Sequence, residues 1–352
     1  MQSITNNQSL SIGYAQAILI ITVVLGHYSV RPLDIFWPFI YHMPMFFMLG
    51  GVLYKEKPIV NSITSTLKKH GLYLLYTYLI IALISMVINT VYGSGIGKIF
   101  SDNLIDTPML AIKGNFHNNS YFLVAWFLFA YMFVTILCRF ILQIKSKPLL
   151  FAIAIIIGYL GMGYVADLFH QTKNQLFNVM SQVMVGSMMY LIGYVLKDKI
   201  LALRNIYIPF IATAVLFTLA KMKILYGMGM SWSDYHPEFW LHALSTTLGI
   251  MTILVITNNL SDMGRRFNLL SVIGSKSKQI MSYHLLSFFA ADLIFYYLGM
   301  YDITKAKALS HYVTAQYWYV YVIIGVGLPL LISLSFDYVK GEMKKRNLER
   351  AS

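Results

Sequence analysis

Apolar stretches long enough to cross a lipid bilayer recur along almost the whole chain, and they limit its possible folds more than any other feature. A helix needs about 17–25 residues to cross roughly 30 Å of hydrocarbon. Only 12% of the residues are charged, about half the fraction of soluble domains, so a water-soluble surface is excluded. The sequence predicts an all-α, polytopic membrane protein with about ten transmembrane helices. The predicted spans are 11–29, 36–54, 72–92, 121–142, 149–166, 181–196, 205–220, 239–258, 279–298 and 316–336.

Lysine and arginine residues are distributed unevenly between these spans, which predicts the orientation of the chain. Connections rich in these residues stay on the cytoplasmic side of a membrane, whereas the opposite connections here hold balanced pairs such as Lys98 and Asp102. We therefore predict cytoplasmic N- and C-termini, and we interpret the net charge of +13 as a topology signal rather than a nucleic-acid site. The predicted cytoplasmic side carries Lys55, Lys57, Lys68, Lys69, Arg139, Lys145, Lys147, Lys197, Lys199, Arg204, Arg265, Arg266, Lys276, Lys278 and the basic residues of the tail.

No connection between the spans is long enough to hold a soluble domain. The longest, roughly 93–120 and 259–278, are shorter than thirty residues. We therefore predict one integral-membrane domain covering 1–352, with its spans within 11–336 and a basic cytoplasmic tail at 337–352. The single cysteine, Cys138, excludes a disulfide within the chain and a cysteine-based zinc site. We expect neither a metal ion nor a tightly bound cofactor.

Two histidines lie at a similar depth in the first two predicted spans. At 1.5 Å per residue, His27 is about 21 Å along the first span, and His42 is roughly 9 Å below the outer surface. Pro44 interrupts the helical hydrogen-bond ladder beside His42. The simpler explanation is that each ring caps a backbone carbonyl or faces a neighbouring helix, but ionisable groups inside membranes are commonly functional. Because imidazole takes a proton from an alcohol near neutral pH, the pair predicts a site in the outer part of the bilayer.

The ninth predicted span places two more polar side chains on one helical face. His284 and Asp292 are eight residues apart, which puts them on the same side of a helix. A carboxylate in hydrocarbon needs a partner, and His27, His42 or a tyrosine hydroxyl would supply one. The alternative is that Asp292 pairs with a polar side chain purely for helix packing. In the fourth span, Trp126 either packs in the core or lines a cleft.

Five segments of the chain carry a recognisable pattern. They are AILIITVVLGHYS at Ala17–Ser29, IYHMPMFFMLGGVLYK at Ile40–Lys55, AWFLFAYMF at Ala125–Phe133, YLIGYVLKDK at Tyr190–Lys199 and LLSVIGSKSKQIMSYHLLSFF at Leu269–Phe289. In these segments the chain resembles the membrane-bound acyltransferase family three, which includes sugar O-acetyltransferases of the fucose O-acetyltransferase-like type. The second segment is similar to the family pattern F-H-M-P-L-F-F-F-x-S-G. The resemblance extends over roughly 11–336, and the span count near ten matches the family architecture.

The resemblance implies an acyl-CoA-dependent O-acyltransferase, by default an O-acetyltransferase, in the bacterial cytoplasmic membrane. The acyl group would pass from cytoplasmic acyl-CoA, the co-substrate, to a hydroxyl of a cell-surface glycan or its lipid-linked precursor. His27 is the candidate general base, and an acyl-histidine intermediate is the alternative. His42 would orient His27, bind the acceptor or share the proton.

Two positions depart from the family pattern. Gln16 stands where members usually carry a basic residue eleven positions before the first histidine, and His70 stands where an arginine opens their third span. Both positions bear on how the donor phosphates or a buried charge are held. The candidate phosphate ligands on the inner face are Lys68, Lys69, His70, Arg265, Arg266, Lys276 and Lys278, although such residues also set orientation and contact lipid headgroups.

A transporter or flippase for a glycan or lipid is the alternative function, with the buried histidines relaying protons. Transporters often consist of repeated halves with paired broken helices, and we find no convincing repeat of this kind in the sequence. The expected partners are acyl-CoA, a glycan or lipid-linked sugar acceptor and membrane lipids, and nucleic acid is not among them.

Overall fold

The computed structural model describes residues 4–28, 38–94, 97–235, 238–263 and 267–351, with side chains as far as residue 343. Within these ranges the chain is almost entirely helical and contains no β-strand, as the sequence predicts. The last helix continues from the final span into the predicted tail at 337–352. The helices are α1 (Asn6–His27), α2 (His42–Val52), α3 (Ile59–Thr66), α4 (Leu72–Tyr92), α5 (Thr107–Lys113), α6 (Ala125–Ile141), α7 (Lys147–Leu160), α8 (Ala166–Thr172), α9 (Gln175–Val195), α10 (Lys197–Ala202), α11 (Tyr207–Lys221), α12 (Phe239–Asp262), α13 (Asn268–Ser275), α14 (Ser277–Tyr297) and α15 (Trp318–Ala351).

Eight helical segments in the described part of the chain are long and apolar enough to cross a membrane. The predicted count of about ten is not confirmed, because the predicted spans 36–54 and 205–220 correspond to the shorter helices α2 and α11. The weakly apolar stretch 181–196 belongs instead to the long helix α9. The eight segments are Asn6–His27, Ile59–Tyr92, Ser120–Ile141, Lys147–Thr172, Gln175–Val195, Phe239–Asp262, Ser277–Tyr297 and Trp318–Met343.

Helix α1 lies at the centre of the bundle, where it packs against α2, α12, α13, α14 and α15. Its predicted inner end is fixed by polar contacts, since Ser11 Oγ donates a hydrogen bond to Asn258 Oδ1 of α12. Asn258 Nδ2 in turn donates to the carbonyl oxygens of Ile200 and Leu203 at 2.9 and 3.0 Å. These contacts set the depth of α1, and therefore the depth of its last residue, His27.

Pro44 lies in the first turn of α2 and does not interrupt the helix. The first N–H groups of a helix have no intrahelical partner, so proline is tolerated there. The carbonyl of Ile40, which an N–H at position 44 would reach, accepts a hydrogen bond from Thr246 Oγ1 of α12 at 2.8 Å. The predicted break beside His42 is therefore the start of a helix, and α12 holds that start in place.

Helices α2 and α9 cross at very close range. A Cβ atom on Gly51 would lie 1.8 Å from the carbonyl oxygen of Tyr190, and one on Gly193 would lie 2.0 Å from that of Met48. Small residues permit this close backbone approach between helices in a membrane. The crossing holds α2, which begins with His42, against the long helix α9.

The connection 228–235 is fixed by polar side chains at one end of the bundle. The Ser231 carbonyl accepts hydrogen bonds from Asn115 Nδ2 at 2.5 Å, Asn178 Nδ2 at 3.1 Å and Gln182 Nε2 at 2.8 Å. Polar groups away from water need such partners. The connection therefore forms a rigid wall at the predicted outer side of the bundle.

Candidate active site

Three residues singled out in the sequence line one cavity of about 390 Å³. His27 ends α1, His42 begins α2 and Trp126 lies in the first turn of α6, so three helix ends meet at this cavity. Its volume is within the range of about 300–1,000 Å³ usual for small-molecule sites. The cavity is also lined by Val23, Tyr28, Phe39, His117, Met228, Met230, Ser231, Trp232, Met281 and Leu309.

Hydrogen-bond partners assign the neutral tautomer of His27. Its Nδ1 lies 2.8 Å from the Val23 carbonyl oxygen and 3.3 Å from His284 Nε2. His284 Nδ1 faces the Met281 carbonyl oxygen at 2.8 Å, so the His284 proton is on Nδ1 and its Nε2 accepts. Neutral His27 therefore carries its proton on Nδ1, which leaves Nε2 as its basic nitrogen.

His284 lies behind His27 as seen from the cavity. It is fully buried in α14, and its ring centroid is 4.9 Å from that of His27. It is not among the residues that line the cavity. His284 can therefore influence the cavity only through His27.

His42 is buried and is oriented by the turn that precedes α2. Its Nδ1 donates to the carbonyl oxygen of Pro38, so the neutral ring, like that of His27, has Nε2 as its acceptor nitrogen. The ring of Phe39 contacts both imidazoles, with centroid distances of 6.4 Å to His27 and 5.2 Å to His42. The two histidines thus face one cavity across an aromatic ring.

Asp292 is paired with residues other than His27 and His42. Its Oδ2 lies 2.7 Å from His311 Nδ1, and its Oδ1 accepts a hydrogen bond of 2.6 Å from the Tyr321 hydroxyl. His311 Nε2 also faces an oxygen, that of Ala308 at 3.0 Å. Tyr321 stacks on Tyr28 with a centroid distance of 4.6 Å. A tyrosine hydroxyl, one of the expected partners, therefore links Asp292 to the cavity wall.

The basic residues proposed for the donor phosphates differ in what they contact. Lys278 Nζ lies over the ring of Tyr73 at 3.4 Å from the centroid, and the Tyr73 hydroxyl is 2.9 Å from Ser282 Oγ. His70 packs against Tyr131 with a centroid distance of 5.7 Å, and Lys69 and Lys278 interact with it electrostatically. Lys68 is exposed, and Lys276 forms an ion pair with Asp337. Arg265 and Arg266 lie outside the described residues.

Gln16 is not part of the cavity. It is half-buried on α1, eleven residues before His27, which corresponds to about 16 Å along the helix. The side chain therefore lies toward the predicted inner face, on the same side of the bundle as the basic residues.

His117 and Trp232 line the cavity but were not predicted from the sequence. His117 Nδ1 donates to the Asn115 carbonyl oxygen at 2.8 Å, and its ring lies 4.7 Å from that of Trp232. Burial lowers the pKa of His117 below its ordinary value, an effect that the Asn115 hydrogen bond partly offsets. The sequence feature that could have indicated His117 is a histidine beside two asparagines in the longest predicted outer connection.

Comparison with known protein families gives one match. Residues 9–335 match a family model described as an acyltransferase domain. Comparison with curated proteins and with solved structures gives no match. Within the described ranges, no group of three histidine, cysteine, aspartate or glutamate side chains is arranged to hold a metal ion. The cavity between α1, α2 and α6 lies within the matched region.

Proposed function

The chain belongs to acyltransferase family 3, and on that basis we propose that it transfers an acetyl or other small acyl group from cytoplasmic acyl-CoA to a glycan hydroxyl. The acceptor is a cell-surface glycan or its lipid-linked precursor, and the protein acts in the bacterial cytoplasmic membrane. That the protein is a multi-pass membrane acyltransferase follows from the family match and the apolar helices. The family match favours transfer over transport. The observation that carries the proposal is that the His27 ring lines the cavity while its Nδ1 faces the Val23 carbonyl oxygen and His284.

His27 acts as the general base. Its Nε2 takes the proton of the acceptor hydroxyl while the hydroxyl oxygen attacks the thioester carbonyl carbon. The resulting imidazolium keeps its Nδ1–H between the Val23 carbonyl oxygen and His284 Nε2, at 2.8 and 3.3 Å. These two acceptors stabilise the positive charge and hold the ring in one orientation, and this supports base catalysis rather than an acyl-histidine.

Attack on the thioester creates a tetrahedral intermediate with a negative oxygen, which needs a hydrogen-bond donor. Trp126 lines the cavity, and its indole N–H donates to no acceptor in the described part of the chain. We assign this N–H to the oxyanion. When the intermediate collapses, the carbon–sulfur bond breaks and the departing thiolate takes the proton from His27 Nε2. The products are the acyl ester and CoA, and His27 returns to its neutral form.

His42 binds the acceptor in this scheme. Its Nδ1–H is engaged by the Pro38 carbonyl, so its Nε2 accepts a hydrogen bond from a sugar hydroxyl next to the one that reacts. Positioning of this kind holds the reacting oxygen close to the thioester carbon. The aromatic face of Phe39, between the two imidazoles, excludes water from the reacting groups.

The donor enters along one face of α14. Lys278, Met281 and His284 follow one another at three-residue intervals, about one turn apart. Lys278 belongs to the basic cluster near Tyr73 and His70, Met281 lines the cavity and His284 contacts His27. This order supports phosphate binding by Lys278, Lys69 and His70, with the thioester reaching His27 past Met281.

The test is acyl transfer by the full chain in lipid nanodiscs, with labelled acetyl-CoA and glycan prepared from the cells in which the chain occurs naturally. His27→Ala should lower turnover by about 10²–10⁴-fold, the usual contribution of a general base. His27→Asn is the matched variant, since its amide can still donate to the Val23 carbonyl but cannot take the proton. Turnover of His27→Asn close to that of the unchanged protein would exclude His27 as the base.

A further inference from the structure

A second cavity, of about 320 Å³, lies beside the one that contains His27. It is bounded by residues 159–170 of the Lys147–Thr172 segment, by the connection before α12 and by the first turn of α12. Its walls include Tyr159, Asp167, His170, Tyr235, Glu238 and Trp240. The proposed acyl transfer uses none of these residues.

The lining of this second cavity combines aromatic rings with carboxylates. Tyr159 and Trp240 are 54% and 63% exposed, so the rest of the protein leaves much of both rings uncovered. Asp167 and Glu238 are exposed, and neither carboxylate forms an ion pair or hydrogen bond with another described side chain. Carboxylates accept hydrogen bonds from hydroxyl groups and repel phosphates, whereas aromatic faces pack against the C–H face of a sugar ring. The chemistry therefore suits an uncharged, polyhydroxylated ligand better than a phospholipid headgroup.

One short segment separates the two cavities. Residues 229–232 line the cavity that contains His27, and Ser233 and Tyr235 line the second cavity. The Ser231 carbonyl is held by Asn178 and Gln182, and His170 Nε2 lies 2.9 Å from the Ser233 carbonyl oxygen. The wall is therefore held by hydrogen bonds from both sides.

Trp232 forms the edge of this wall. It lines the first cavity and is 40% exposed. Its ring lies 4.7 Å from His117 on one side and 6.5 Å, nearly parallel, from Phe169, the neighbour of His170. The indole is thus held in place between two rings, and its exposed edge offers apolar surface to a glycan chain that passes from one cavity to the other.

We infer that the second cavity is a sugar-binding subsite of the acyl acceptor, which is therefore an extended glycan rather than a single sugar. One unit lies beside His27 and His42, the chain crosses Trp232, and a further unit lies against Tyr159 and Trp240 with its hydroxyls bound by Asp167 and Glu238. Each cavity is at the lower end of the range of small-molecule sites, about 300–1,000 Å³, so each accommodates a short piece of the glycan. This inference rests on the proposed acyl transfer.

The inference is tested with acceptors of graded length. Surface glycan from the native cells is partially hydrolysed and separated into size classes of one to six sugar units, and each class is offered with labelled acetyl-CoA to the full chain in nanodiscs. We expect kcat/KM to rise about tenfold or more between single sugars and the longer classes, chiefly through KM.

Gly163 provides a way to close the second cavity without disturbing the first. It lines the second cavity, and a Cβ at this position would meet nothing within 4 Å. Gly163→Phe should lower kcat/KM for long acceptors to the single-sugar value and leave transfer to single sugars unchanged. The matched control is Gly327→Phe on α15, where a Cβ would also meet nothing within 4 Å and which lines neither cavity.

The outcomes separate the subsite from the reaction itself. If transfer occurs but does not depend on acceptor length, or if Gly163→Phe and Gly327→Phe behave alike, the subsite is wrong and the acyltransferase proposal stands. If no size class is acylated, the proposed acceptor is wrong and the subsite fails with it. Should Gly163→Phe not fold, the double variant Asp167→Asn with Glu238→Gln replaces it, and it should raise KM for long acceptors alone.

Discussion

His284 acts on the proposed reaction only through His27, so its contribution is one of positioning. Replacement by leucine removes the more distant of the two acceptors of the His27 Nδ1–H, at 3.3 Å, leaves the Val23 carbonyl oxygen at 2.8 Å and keeps a similar volume. We expect His284→Leu to lower kcat by up to about a hundredfold, the cost of a misoriented catalytic group, with the KM values for both substrates unchanged. Steady-state kinetics in nanodiscs measures kcat and the two KM values.

Rescue of activity separates positioning by His284 from a general structural role. In His284→Gln the amide oxygen can accept the same N–H, so kcat should recover a large part of the loss. A structural role predicts instead that both variants lower the melting temperature and that kcat follows the amount of folded protein. Equal kcat values for the leucine and glutamine variants would contradict positioning.

Individual residues were predictable from the sequence where a polar, titratable side chain interrupts an apolar run. His27 and His42 are titratable groups in apolar runs, and their similar depth follows from helix rise. The partners of Asp292 were only partly predictable from the sequence. A tyrosine hydroxyl was expected, but His311 lies outside the predicted spans. His117 and Trp232 come from two connections more than a hundred residues apart, and no local pattern places them together.

At the level of helices, the close crossing of α2 and α9 sets where His42 lies. Gly193→Ala would place a Cβ 2.0 Å from the Met48 carbonyl oxygen, and backbone cannot move aside as a side chain does. We expect a loss of about 1–3 kcal/mol in stability, as is usual for overpacking, and lower turnover. Thermal melting in nanodiscs measures the loss of stability. Gly13→Ala, where a Cβ would meet nothing within 4 Å, is the control, and equal melting temperatures would mean that the crossing tolerates the methyl group.

The inner ends of α4 and α14 provide a second pair of matched variants. Lys278 lies over Tyr73 next to the proposed donor route, whereas Lys276, two residues away, is engaged by Asp337. Lys278→Ala should raise KM for acetyl-CoA severalfold and leave KM for the acceptor unchanged, because only the donor carries the phosphates. Lys276→Ala should have little effect. A rise in donor KM of the same size in both variants would indicate a diffuse electrostatic effect instead of a site.

Helix boundaries were predictable from apolar length except where long-range contacts decide them. Residues 181–196 form part of the long helix α9, whose Asn178 and Gln182 make the sequence less apolar yet are buried against the Ser231 carbonyl. Pro44 was expected to break a helix, but the carbonyl it would leave without a partner is bonded to Thr246. In both cases the partner lies far away in the sequence, so local hydropathy gives no sign of it.

For the whole molecule, the proposed reaction needs two substrates that arrive from opposite faces. The basic cluster at Lys278 and the two cavities near Trp232 are at opposite ends of the bundle, and α1 and α14 join them. The orientation itself is inferred from the lysine and arginine distribution alone. It therefore requires a test that does not depend on activity.

Two glutamines at opposite ends of the Lys147–Thr172 segment allow the orientation to be measured. Gln143 and Gln171 are exposed, and about 39 Å of helix separates the ends of that segment. Cys138, which is buried, is first replaced by alanine, and each glutamine is then changed to cysteine. A membrane-impermeant maleimide should label Gln171→Cys in intact cells and Gln143→Cys only after permeabilisation. The reverse pattern would place His27 near the cytoplasm, where acyl-CoA would reach it directly, and the acceptor would then have to be an intracellular glycan.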